Sequence, residues 1–145
     1  MTADTTYQPK VYRRSGGDTQ TVASGGLLEI EEGGTFKPAV QELMASGAIS
    51  AGVQSVELNH TSVKIEATIA DASLHPGLFI AKATSEPAEG SPSQNHTITL
   101  TSGTFNGTNT IATFADILDT LVVYFDSDGN GTVIENIGTV SLSGS

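Results

Sequence analysis

Asp126, Asp128, Asn130 and Gly131, in the stretch FDSDGNGT (residues 125–132), open like a calcium-binding loop. Such a loop needs oxygen ligands at its first, third and fifth positions, Gly at the sixth and a bidentate acid at the twelfth. Counting from Asp126, the twelfth position is Ile137, and Glu135 falls two places early. The flanks LVVYF and TVIENI read as strands, where a calcium loop of this kind sits between helices. Asp128-Gly129 and Asn130-Gly131 are instead strong hairpin-turn dipeptides. The stretch is therefore expected to be a turn, with no metal site and no cofactor, and any weak cation contact there is incidental.

Other chemistry is sparse. His60, His75 and His96 share no metal-ligand spacing. His60 and His96 each sit in an Asn-His-Thr triplet beside a strand, which suits a hydrogen bond within a turn or at an interface. Asp116 and Asp119, in TFADILDTL, are the nearest thing to paired carboxylates, and they suit a polar turn better than acid–base work. Neither a G-x-S-x-G elbow nor a phosphate loop occurs. Four N-x-T sequons, at Asn59, Asn95, Asn106 and Asn130, read as Thr-rich turns. No catalytic residues are expected, and the chain is not read as an enzyme.

The elements that would hold these residues belong to one modest domain, since the chain has 145 residues and no Cys for disulfides or thiolate metal sites. No apolar run approaches the roughly 20 residues of a membrane-spanning helix. The opening MTADTTYQPK lacks a signal-peptide core, so export by that route is not expected. Net charge is −10, yet residues 1–14 carry Lys10, Arg13 and Arg14 against Asp4 alone, a balance of +2. Beyond Lys82 there is no basic residue other than His96. An acidic body repels nucleic acid and anionic membrane, so neither is an expected partner. A basic arm carrying Tyr7 and Tyr12 suits docking on an acidic neighbour, although a frayed terminus would look the same.

Along the chain, residues 1–14 read as an extended arm, 15–36 as a short β region punctuated by Gly pairs, and 37–145 as a β body. The Gly pairs fall at 16–17, 25–26 and 33–34 and mark turns. The segments between them form either a simple meander or short rungs whose few apolar residues, Val22, Leu28 and Ile30, are hidden by three copies around an axis. KPAVQELMASG predicts one short helix near 38–46, with Pro38 in the first turn and Gly47 at the stop. From Ala48 the period becomes two. Val63, Ile65, Ala67 and Ile69 would share one strand face, and GLFIAKA, HTITLTSGTF and TIATF follow as strands. LVVYF is apolar on both faces, as a central strand is. The expected fold is mainly β: an antiparallel sandwich or barrel of about seven or eight strands, with at most one short helix.

YQPKVYRRSGGDTQTVASGG followed by LEIEEGG resembles the opening of small structural proteins of tailed bacteriophages. HTITLTSGTFNGTNTIATF, with the closing LVVYFDSDGNGTVIENIGTVSLS, is similar to the β-rich body of the same group of head-decoration and auxiliary virion proteins. The resemblance covers most of the chain and contains no catalytic signature. It implies a homotrimer on the capsid surface of the virion, made in the host cytoplasm, whose partner is the major capsid protein and whose role is to reinforce the shell. Tyr7, Lys10, Tyr12, Arg13 and Arg14 would then form the capsid-binding arm, since aromatics and Arg dominate interface energies. The trimer interface would use Val22, Leu28 and Ile30. The alternative is a receptor- or carbohydrate-binding module of a phage head or tail fibre, although aromatics are only 6% and Trp is absent. A hydrolase on a β scaffold would need acids that converge in space.

Overall fold

The structure is a computed structural model that describes residues 11–13, 20–27, 29, 31–35, 40–85 and 95–144. The chain divides into two compact units, Met1–Lys37 and Pro38–Ser145. In the first, β1 (Val11–Arg13) and β2 (Gln20–Val22) pair antiparallel, with Val11 opposite Val22. The end of the expected arm is thus a paired strand. The Gly pairs at 25–26 and 33–34 do close turns: Gly26 N–H donates to Ala23 O and Gly34 N–H to Glu31 O, both at 2.8 Å. No strand includes the described residues from Leu27 to Thr35.

The second unit is a β-sandwich of two mixed sheets. One sheet has six strands: β3 (Val40–Leu43), β5 (Ser55–Leu58), β7 (Gly77–Ala83), β11 (Thr120–Phe125), β12 (Asn130–Ile137) and β9 (Thr104–Phe105), in that spatial order. The other has five: β13 (Ser141–Ser143), β10 (Ile111–Phe114), β8 (His96–Leu100), β6 (Glu66–Ile69) and β4 (Gly47–Ala48). Alternate residues of each inner face fill one core, in which Phe79, Phe105, Phe114 and Phe125 are the largest buried side chains. The Phe79 and Phe125 rings lie 5.8 Å apart, and Phe125 and Phe105 6.0 Å apart. Offset, tilted pairs of this kind suit the ring quadrupoles.

The expectation of a wholly antiparallel body is corrected. From β3 to β8 the chain passes to the opposite sheet after every strand, so each strand returns beside its predecessor but one. The pairs β3–β5, β5–β7, β4–β6 and β6–β8 are consequently parallel. Turn residues such as Gly52 and His75-Pro76-Gly77 mark corners between sheets rather than hairpins. Among its described residues the body holds eleven strands, more than the seven or eight expected, and two of them, β4 and β9, are only two residues long.

The helix expected near 38–46 is also corrected: Val40–Leu43 is strand β3. A helix of two or three turns is marginal without strong packing. A parallel ladder to β5 and the side chain of Gln41 favour the strand instead. Gln41 donates from Nε2 to Ala48 O at 3.0 Å and accepts the Ser50 N–H on Oε1 at 2.8 Å. Among the described residues the one helical element is a 3₁₀ turn at Ala72–Leu74, capped by Asp71.

Candidate functional site

The histidines organise a corner. Between β5 and β6 the chain must leave one sheet for the other, which strips its N–H groups of ladder partners. His60 Nδ1 accepts the N–H groups of Ser62 and Val63, each at 3.0 Å. His96, fully buried on β8, accepts the Ile65 N–H on Nδ1 at 2.9 Å and donates from Nε2 to Ser85 O at 3.1 Å. An Nδ1 that accepts carries no proton, so the His96 ring is neutral. Burial pushes its pKa below the usual imidazole value, only partly offset by the Ser85 carbonyl, and nearby His60 pushes the same way. His75 is buried too, donating to Val53 O at 2.7 Å with its ring edge toward Phe79. The expectation that His60 and His96 satisfy hydrogen bonds of a turn holds. Val63, expected on the inward face with Ile65, lies in this corner and is 56% exposed.

The Asp116–Asp119 pair is a turn. Asp119, 2% exposed, accepts the Ala115 and Asp116 N–H groups on Oδ2, at 2.9 and 3.1 Å, and the Thr139 N–H on Oδ1 at 2.8 Å. The Thr139 hydroxyl lies 2.8 Å from Asp116 Oδ2 and 3.0 Å from Asp119 Oδ2. One carboxylate thus joins the β10–β11 loop to the β12–β13 turn. Its oxygens are engaged by backbone donors, which is a structural use.

Asp126 behaves similarly in the calcium-like stretch. Its Oδ1 accepts the Asp128 and Asn130 N–H groups at 2.9 and 2.8 Å, and Oδ2 accepts Asn130 Nδ2 at 3.1 Å. Those hydrogen bonds, Asn130's foremost, hold the carboxyl below its usual range. Gly129, with φ +83°, closes the hairpin and donates its N–H to Asp126 O at 3.2 Å. Asp128-Gly129 is therefore the turn, as expected. Asn130-Gly131 begins strand β12, where Gly131 lets Phe125 and Val123 pack against the backbone. Among the described residues no group of three or more His, Cys, Asp or Glu could hold a metal ion.

A shallow open pocket of about 180 Å³ is lined by Met44, Asn59, His60 and Thr61. Ligand sites usually run from roughly 300 to 1,000 Å³, so this one is small.

The largest departure from a solvated sandwich lies on the outer face of the six-stranded sheet. The register sets Leu78 against Tyr124 and Ile80 against Val122 on adjacent strands. Leu78 is 55% exposed and Tyr124 50%, while Ile80 is also exposed and Val122 half-buried. Ile137 and Ile134 are exposed on the neighbouring β12, which carries a bulge, and Val40 on β3. On the other sheet the outward positions are Glu66, Thr68, Thr97, Thr99, Thr113, Ser141 and Ser143, with Ala48 and Ile111 apolar. The two faces differ in chemistry: one is mostly hydroxylic, while the other sets an apolar centre among Ser55, Glu57, Lys82, Thr120, Thr132 and Glu135. The apolar run in LVVYF was the signal for this patch, because a two-layer sandwich covers only one face of each sheet.

Of the residues expected to bind, Tyr7, Lys10, Arg14, Leu28 and Ile30 lie outside the described residues. Tyr12 and Arg13 belong to β1, opposite Thr21 and Gln20. Val22 on β2 is 41% exposed. No described helix is long and apolar enough to cross a membrane. Comparison of the chain with family models, with curated proteins and with solved structures finds no match.

Proposed function

We propose that this chain is a structural virion protein that binds the outside of a phage capsid as a homotrimer and stabilises the shell. The observation that carries the reading is a segregation of charge along a two-unit chain. The unit Pro38–Ser145 has two Lys against eleven acids, whereas residues 1–14 carry a balance of +2. A rigid acidic body with a basic, aromatic-bearing end has one obvious docking element and one element that resists non-specific contact. The resemblance of YQPKVYRRSGGDTQTVASGG and of the β-rich closing stretch to head-decoration proteins supplies the capsid as partner. Such a role needs many copies of a modest contact, because avidity multiplies weak interactions.

The test is co-sedimentation with purified, DNA-filled capsids of a phage that encodes the protein. Full-length chain is expected to saturate the shells and raise their resistance to heat or chelator. A variant lacking residues 2–14 is expected to stay folded and remain in the supernatant. Saturation by that variant would remove the arm from the mechanism. Failure of the full-length chain to bind, together with binding to host cells or glycans, would replace the reading with a fibre-borne receptor module.

A further inference from the structure

We infer that Asn106, in the Asn106-Gly107 turn after β9, is a self-modification site that converts through a cyclic succinimide to aspartate and isoaspartate. The same dipeptide at Asn130-Gly131 is held unreactive by the fold. This holds whatever the chain binds.

The two dipeptides are equivalent as sequence, since in each a glycine follows and no Cβ screens its attacking amide nitrogen. The structure separates them. Asn106 and Gly107 are exposed in a turn, with φ +48° and +84°. Its base is closed by the Phe105 N–H to Asn109 O at 2.6 Å and the Asn109 N–H to Phe105 O at 3.0 Å. A Cβ at Gly107 would meet nothing within 4 Å, and among the described residues no acceptor meets the Gly107 N–H. The backbone there has room to rotate. Gly131, by contrast, is buried in the ladder, opposite Phe125 on β11 and Phe105 on β9. A Cβ there would lie 2.7 Å from Phe125, 2.8 Å from Val123 and 2.9 Å from Thr104 O. Asn130 is tied to Asp126 three times: N–H to Oδ1 at 2.8 Å, Nδ2 to Oδ2 at 3.1 Å, and O accepting the Asp126 N–H at 3.1 Å. Bringing Gly131 N onto Asn130 Cγ would break these contacts and the ladder together.

The chemistry at Asn106 needs only water and hydroxide. Hydroxide removes the Gly107 N–H proton, and the nitrogen attacks Asn106 Cγ. As that bond forms, negative charge collects on Oδ1. The Val133 N–H already donates to this oxygen at 2.9 Å, as a donor in an oxyanion hole does. Collapse breaks the Cγ–Nδ2 bond, and Nδ2 takes a proton from water and leaves as ammonia. Water then opens the ring. Cleavage of the new N–Cγ bond gives aspartate, and cleavage at the main-chain carbonyl gives isoaspartate, whose main chain is one carbon longer. That carbon enters beside the Asn106 N–H to Gly131 O bond, 2.7 Å, so isoaspartate loosens β9 from β12.

The experiment incubates the full-length chain at mildly alkaline pH, folded and in urea, and maps its peptides by mass and by enzymatic methylation of isoaspartate. In the folded chain Asn106 is expected to convert about tenfold or more faster than Asn130, and in urea the two rates should converge. Asn106→Gln, whose side chain would have to close a larger ring, should remove most of the isoaspartate from the aged folded chain. Equal rates at the two sites in the folded chain, or a faster Asn130, overturn the inference. So does a folded chain in which neither site converts while both do in urea. A gap that persists in urea removes the fold as its cause and overturns it too, as does unchanged isoaspartate in Asn106→Gln.

Discussion

The imidazole of His96 holds the backbone N–H of Ile65 across 31 residues of chain, Nδ1 to N at 2.9 Å. It does so in full burial, with Nε2–H committed to the Ser85 carbonyl. Protonating Nδ1 would set one N–H against another inside the core. The ring is thus a fixed neutral fastener between β6, β8 and the segment that follows β7.

The lowered His96 pKa makes this contact pH-sensitive, with a definite sign. The folded chain binds the proton less readily than the unfolded one, so the contribution is complete above the ordinary imidazole value of about 6.5. It declines as pH falls below that value and levels off beneath the folded pKa. Urea unfolding between about pH 7.5 and 5.5 should show stability dropping on the acid side. His96→Leu should flatten this slope and cost about 2–4 kcal/mol at neutral pH, because two buried backbone groups lose partners. An identical slope in the variant would place the effect on another group.

Gly138 and Asp119 form a second fastener. Gly138 has φ +92°, and a Cβ there would collide with Asp119 Oδ1. Gly138→Ala therefore meets both backbone strain and a clash, and should cost about 3 kcal/mol in denaturant unfolding. Asp119→Asn keeps the shape but turns an amide toward backbone N–H donors, for an expected loss of about 2 kcal/mol. The two changes break one junction, so the double variant should fall short of their sum. Full additivity would mean the contacts are independent.

Much of the body is legible in its alternation. Ile98 and Leu100, Ala112 and Phe114, and Leu121, Val123 and Phe125 all point inward as period two requires. What is not legible is where a turn leads. His75-Pro76-Gly77 and Gly52 change the chain's direction in either case, and only long-range packing decides between a hairpin and a passage to the other sheet. Val40, Leu43 and Met44 match a helical face, yet over four residues propensity is weaker than one parallel ladder. LVVYF reads correctly as interior to its sheet, while its outer residues are uncovered in a two-layer body. The same string therefore encodes both strand position and the apolar patch. The arm and rung residues, from Tyr7 to Ile30, are selected by composition and spacing, which carry no contact information.

The turn at Asp126 predicts an outcome for calcium. Each carboxylate oxygen already accepts from the loop's own groups. Millimolar calcium should leave the melting temperature unmoved, since binding would require breaking those contacts. Asp126→Asn preserves an acceptor oxygen for the Asp128 and Asn130 N–H groups and should be mild, whereas Asp126→Ala should lower the melting temperature. A calcium-dependent rise that vanishes in Asp126→Asn would restore the metal reading. Because the native carboxyl is held below its usual range, its contribution is present above the ordinary Asp value and fades as pH falls through the folded one.

The division at residue 37 gives the last prediction. Among the described residues the second unit has a core of its own, running from Ile49 to Val140 and drawing on both sheets. A two-stranded pair such as β1–β2 is marginal in isolation. Expressed alone, residues 38–145 should unfold in one cooperative transition, with a melting temperature within a few degrees of the full chain. Residues 1–37 alone should show no cooperative transition. A body that melts early or without cooperativity would mean the first unit completes the fold, and the arm-deletion test of docking would then need point substitutions at Tyr7, Arg13 and Arg14 in its place.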